Sequence, residues 1–248
     1  AALEEPGVGA STAYRVYVPV GVERGADAQA AWNLATLPAV VYSGIPWGGA
    51  MAISRELFED AKVAERWAHT IADDCELREA MQAVGKQVAF VPRGLSMSPT
   101  EATLATALEW AGRQLTILRI FRKRVYIVGL IGGLLSFALV TAGVGSIVWG
   151  VVEPDLLLVG IGAFLLMPLL VAGLQLRWML GIWTRRLRPL LADLRPVETT
   201  LPARLLRRVL TVQLIYWFAF LRPLAGSTIR WRGRIYRVRA SRAVEILD

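Results

Sequence analysis

Two apolar runs, Val125 to Val152 and Leu156 to Leu176, stand almost back to back, separated only by Glu153-Pro154-Asp155, and neither contains a charged side chain. An α-helix rises about 1.5 Å per residue, so about 20 apolar residues cross the roughly 30 Å hydrocarbon core of a bilayer. Each run is long enough. The pattern predicts a helical hairpin that makes this an integral, multi-pass membrane protein, with a soluble-looking segment ahead of it.

The formal net charge of +8 over 248 residues hides a division. Through Gly112 there are 8 basic and 14 acidic residues, whereas from Arg113 onward there are 20 basic and 6 acidic. The arginines cluster at the ends of the apolar runs (Arg119, Arg122 and Arg124 before them, Arg185, Arg186 and Arg188 after), and none lies between Val125 and Leu176. That placement suits lipid phosphates and the excess of basic residues on the cytoplasmic side of membrane helices, and it argues against a nucleic-acid partner. With the connecting turn acidic, the preceding domain is expected in the cytoplasm. Cys75 and His69 are the single cysteine and histidine, which excludes an internal disulfide and any multi-cysteine metal site and leaves carboxylates, arginines and aromatics to carry chemistry.

Along the first 100 residues, strand and helix signals alternate as in an α/β domain. Ser11 to Val20, rich in β-branched and aromatic residues, reads as one strand; Asp27 to Leu37 is an alanine-rich helix; Ser54 to Trp67 is a helix capped by Ser54. A helix from Glu76 to Val84 stops at Gly85 and is followed by a strand from Gln87 to Pro92. The segment 101–124 repeats Leu104, Leu108, Leu115 and Leu118 at helical spacing, so an amphipathic helix is expected along the membrane surface or under the soluble domain. Past the hairpin, residues 184–248 form a basic stretch. Within it Val209 to Leu221 is about 13 residues long, short for a crossing, and reads as an interfacial or re-entrant helix.

Three groups could carry chemistry. Asp73 and Asp74 fall at a loop-to-helix junction, where a carboxylate can accept a proton from an attacking hydroxyl or can simply cap the helix. Trp47-Gly48-Gly49-Ala50 pairs an aromatic with glycines that let a ligand approach the backbone. Trp110, Arg113 and Gln114 can hold a diphosphate, or can anchor a helix at headgroup depth. The residues alone leave these alternatives open.

Their order is more telling. Thr12-Ala13-Tyr14-Arg15, then Trp47-Gly48-Gly49-Ala50-Met51-Ala52-Ile53, Asp73-Asp74, Phe90-Val91-Pro92 and Trp110-Ala-Gly-Arg113-Gln114, followed at once by the apolar runs, resembles the membrane-bound family 2 and family 21 glycosyltransferases, most closely the ceramide glucosyltransferase type. Ile229-Arg230-Trp231-Arg232-Gly233-Arg234-Ile235-Tyr236 looks like the Trp-Arg-Gly-Arg-x-Tyr ending of bacterial members.

The resemblance implies the C-terminal part of a GT-A-like catalytic domain over residues 1–100, the amphipathic segment 101–124, the transmembrane hairpin 125–183 and the basic cytoplasmic segment 184–248. It implies an inverting transfer of a hexose from a nucleotide sugar of the UDP-glucose kind to a lipid acceptor. Asp74 would be the base, supported by Asp73, with Trp47, Gly48, Gly49, Ala50, Trp110, Arg113 and Gln114 binding substrate. Where the family has an arginine before the tryptophan, this chain has Glu109, so the phosphate role passes to Arg113 and Gln114. The family's divalent metal, Mg or Mn, is held by an Asp-x-Asp pair that does not occur in this sequence. The chain is therefore expected to be a piece of a longer enzyme, inactive by itself. A processive polysaccharide synthase, which needs more crossings for a polymer channel, and a non-enzymatic membrane scaffold are the alternative readings.

Overall fold

The computed structural model describes residues 2–191, 209–231, 233–239 and 244–247. The chain is mixed α/β, with two long apolar helices between a soluble-type domain and a small C-terminal sheet.

The expected single strand at Ser11–Val20 is two strands in different sheets. β1 (Val8–Thr12) pairs parallel with β4 (Gln87–Phe90) and antiparallel with β3 (Met51–Ile53), whereas β2 (Arg15–Pro19) pairs parallel with β5 (Ser96–Thr100). Side chains around Ala13 and Tyr14 divert the chain. The Trp47 amide donates to Thr12 Oγ1 at 2.8 Å, and buried Tyr14 donates its hydroxyl to the Asn33 carbonyl at 2.5 Å while its ring tilts against Trp47 at 4.6 Å. Asn33 Oδ1 then accepts from the Tyr17 amide at 3.1 Å, which ties β2 to the first helix.

That helix, α1 (Arg24–Ser43), outlasts the expected Leu37 end and passes through Pro38 to a left-handed cap at Gly44. Leu37 and Val40 pack with Tyr14 and Trp47, so tertiary burial outweighs the proline's local preference. The expected helix Ser54–Trp67 is interrupted at Lys62, which takes a positive φ of 51°, giving α2 (Arg55–Asp60) and α3 (Val63–Trp67). Ser54 does cap α2, accepting from the Leu57 amide. The helix α4 (Asp73–Ala83) starts three residues before the expected Glu76, which puts both aspartates in its first turn.

α5 (Leu104–Phe121) packs on both α1 and the helix formed by the last apolar segment, which also touch each other, and buries Ala107, Ala111 and Leu115. α6 (Lys123–Val152) and α7 (Leu156–Leu191) form the hairpin. Asp155 Oδ1 accepts from the Leu157 and Leu158 amides to cap α7. The two helices meet glycine to glycine: a Cβ on Gly162 would stand 2.5 Å from the Gly143 carbonyl oxygen. α7 continues past the expected boundary at 183, and the arginine-rich stretch at 192–208 lies outside the described residues.

α8 (Val209–Leu221) runs antiparallel along the first half of α6. The Tyr126 hydroxyl donates to the Phe220 carbonyl at 2.7 Å, Tyr216 faces Gly133, and Gln213 donates to Ser136 Oγ at 2.9 Å. A short turn at Arg222–Ala225 leads to an antiparallel sheet, β6 (Thr228–Trp231), β7 (Arg234–Val238) and β8 (Val244–Ile246). Arg232 of the C-terminal motif lies outside the described residues.

Candidate functional site

A cavity of about 360 Å³ opens where these parts converge. β2 supplies Arg15 and Tyr17, the loop before β3 supplies Trp47, Gly48 and Gly49, and the start of α4 supplies Asp73 and Asp74 with Ile71 and Ala72 beside them. α5 contributes Trp110, Arg113, Gln114 and Ile117, and the C-terminal sheet adds Ile229, Trp231 and Tyr236. Every candidate residue named from the sequence lines this space except Ala50. Its carbonyl instead accepts from the Ala13 amide at 2.9 Å and from Thr12 Oγ1 at 3.1 Å, holding the glycine loop to β1.

The paired glycines have separate steric reasons. A Cβ on Gly48 would lie 3.1 Å from Asp73 Oδ1 and 3.5 Å from Asp74 Oδ2, and one on Gly49 would lie 3.0 Å from the Arg15 guanidinium. The loop backbone thus passes close against two carboxylates and a cation, which would have to shift slightly to admit a side chain at either glycine.

Within α4 the aspartates serve the local fold as well. Asp73 Oδ1 accepts from the Asp74 amide at 2.9 Å, and Asp74 Oδ1 accepts from the Cys75 amide at 2.7 Å. Asp73 is exposed and Asp74 partly buried. Burial above all, and then the negative charge of Asp73, push the Asp74 carboxyl up to about 6, against the pull of hydrogen bonds from the Cys75 and Gly48 backbone. A carboxylate tuned this way is a competent proton acceptor near neutral pH. Burial lowers the pKa of Arg113, while Tyr17 and Glu109 oppose the shift. Glu109 itself reaches Arg222 at 3.9 Å, so the acidic residue at the position of a family arginine helps hold the turn after α8.

A second cavity, about 260 Å³ and mainly apolar, adjoins the first. Trp47, Asp74, Trp110, Gln114 and Ile117 border both. From Asp74 it extends among Trp32, Val40, Ile45, Leu115 and Leu118 to Val125, on the first turn of α6. Cys75 lines it too, with its thiol pushed upward by burial, so it is no thiolate nucleophile at neutral pH. His69 borders neither cavity.

Sequence reasoning did not assign Arg15, Tyr17, Trp231 or Tyr236 to the site. The last two had a legible signal: Thr-Ile-Arg-Trp and Arg-Ile-Tyr-Arg-Val are strand-like runs on either side of a glycine, Gly233, which takes a φ of 84°.

A polar cavity with a raised carboxyl and two arginines is thus joined at that carboxyl to an apolar one. The sequence profile of glycosyl transferase family 21 matches residues 27–244, and the chain belongs to that family. Searches of curated proteins and of solved structures gave no match.

Proposed function

We propose that this protein, within the full-length enzyme, transfers a hexose from a nucleotide sugar to the hydroxyl of a membrane lipid, with inversion at the anomeric carbon, at the cytoplasmic face of a membrane crossed by α6 and α7. The observation that carries this reading is the place of Asp74, on the border between the polar and the apolar cavity. An acceptor with its chain among Trp32, Leu115 and Leu118 presents its hydroxyl to the Asp74 carboxylate. A donor in the polar cavity offers its anomeric carbon to the same point. Asp74 takes the hydroxyl proton as the oxygen bonds to that carbon, and the carbon–oxygen bond to the nucleoside diphosphate breaks from the opposite side. Arg113, with Gln114 beside it, faces the negative charge that builds on the leaving diphosphate.

Among the described residues no group of three or more His, Cys, Asp or Glu side chains is arranged to hold a metal ion. The Asp-x-Asp pair that would hold the family's divalent ion does not occur in this sequence.

The outward faces of α6 and α7 support the membrane reading: Val128, Phe164 and Leu157 are 70–71% exposed on helices long and apolar enough to cross a bilayer. Asp74→Asn tests the catalytic assignment. In membranes containing the full-length enzyme, transfer of radiolabelled hexose to lipid is expected to fall about 10²–10⁴-fold, with nucleotide binding retained. Undiminished turnover removes Asp74 from the role of base.

A further inference from the structure

The C-terminal Trp-Arg-Gly-Arg-x-Tyr segment takes no part in the chemistry just described, yet the fold delivers it to the cavity. In the β6–β7 pair Ile229 stands opposite Tyr236, and Trp231 opposite Arg234. Paired residues and residues two apart share one face of a sheet, so Ile229, Trp231 and Tyr236 form a single patch. All three line the 360 Å³ space. The Trp231 and Tyr236 rings lie 6.4 Å apart, inclined by 50°. Trp231 remains 41% exposed, an aromatic surface turned to a cavity that also contains Asp73, Asp74, Arg15 and Arg113.

The patch is fixed against α5. The stem of Arg222 lies over Gly112, its guanidinium reaches Glu109, and the Arg119 guanidinium donates to the carbonyl of buried Pro223. This clamp comes from the helix that carries Arg113 and Gln114, so the aromatic wall and the polar groups hold a set relation.

The chemistry of the wall selects its occupant. A phosphate gains nothing from an indole or phenol face, and a lipid chain has no use for the nearby carboxylates and guanidinium groups. A pyranose ring uses both, because its C–H bonds lie against an aromatic face while its hydroxyls point outward to hydrogen-bonding partners. We infer that the Ile229–Trp231–Tyr236 face is the platform on which the hexose of the donor rests, and that Trp231 is a determinant of sugar affinity. The inference rests on the glycosyl-transfer reading above.

A nucleobase also stacks on aromatic rings, and the test separates the two ligands. Dissociation constants for UDP and for UDP-glucose are measured by calorimetry on the detergent-solubilised full-length enzyme, wild type against Trp231→Ala, Tyr236→Ala and Trp231→Phe. Trp231→Ala is expected to weaken UDP-glucose about tenfold while UDP binds unchanged, an unchanged value that also certifies the fold. Tyr236→Ala should show a smaller loss in the same direction, and Trp231→Phe should recover most of the affinity. Equal weakening of UDP and UDP-glucose, or no weakening of either, overturns the platform while leaving the transferase reading intact. A wild-type protein that binds neither ligand overturns both.

Discussion

Asp74 carries two demands that pull apart. As a base it must be ionised, yet burial and the neighbouring Asp73 favour its protonated form and push it up to about 6. The rate should therefore rise with pH through a limb near 6, read as kcat/KM against pH. Replacing Asp73 with Asn removes the second cause, and the limb should move to lower pH. A stationary limb assigns it to another group. The same shift bears on stability. Because the folded-state value exceeds the unfolded one, the stabilising contribution is complete below the ordinary carboxylate range and is lost as pH rises through about 6. Asp74→Asn, unable to ionise, should melt above wild type at pH 8, with the gap closing as pH falls below about 6. At this scale the sequence was informative: the aspartate pair, the glycine pair and the Trp110–Arg113–Gln114 group could be named from residue type and order. It could not separate a helix-start role from a base, because each aspartate accepts from the next residue's amide in the first turn of α4 and both line the cavity.

Element by element, what the sequence revealed depended on what decides each boundary. The apolar runs of α6 and α7 were plain because each is a long uncharged stretch, bounded only by the acidic turn between them and by arginines outside. The break between β1 and β2 was hidden because it rests on Tyr14 and Asn33, 19 residues apart. The C-terminal sheet was masked by its arginines, which drew the reading toward charge and away from the alternation of Ile229 and Trp231. The hairpin's tight crossing gives a clean test of its packing. Gly162→Leu would drive a side chain into the Gly143 carbonyl and the Ile147 amide. Overpacking of this kind costs about 1–3 kcal/mol, to be seen as a lower melting temperature in detergent, whereas substitution at Gly160, which has open space around it, should have little effect.

For the whole molecule, a polar and an apolar cavity meet at one carboxylate, and on the proposed reading they bring a water-borne donor and an apolar acceptor to a common point. If the 260 Å³ cavity holds the acceptor chain, affinity should track chain length until the space is filled. Each methylene removed from a single-chain alcohol acceptor is expected to raise KM about fourfold, from about 0.8 kcal/mol per buried CH₂. A KM indifferent to chain length would move the acceptor elsewhere. The cavity wall built by β6 and β7 follows α6, α7 and α8 in the chain, and this sets a timetable. During translation the aspartates leave the ribosome well before Trp231 does, and the wall can close only after the hairpin has been made and α8 has come back beside it. A nascent chain stalled within the hairpin would carry Asp73 and Asp74 on an open surface, and the cavity would be complete only once the C-terminal sheet had emerged and folded back.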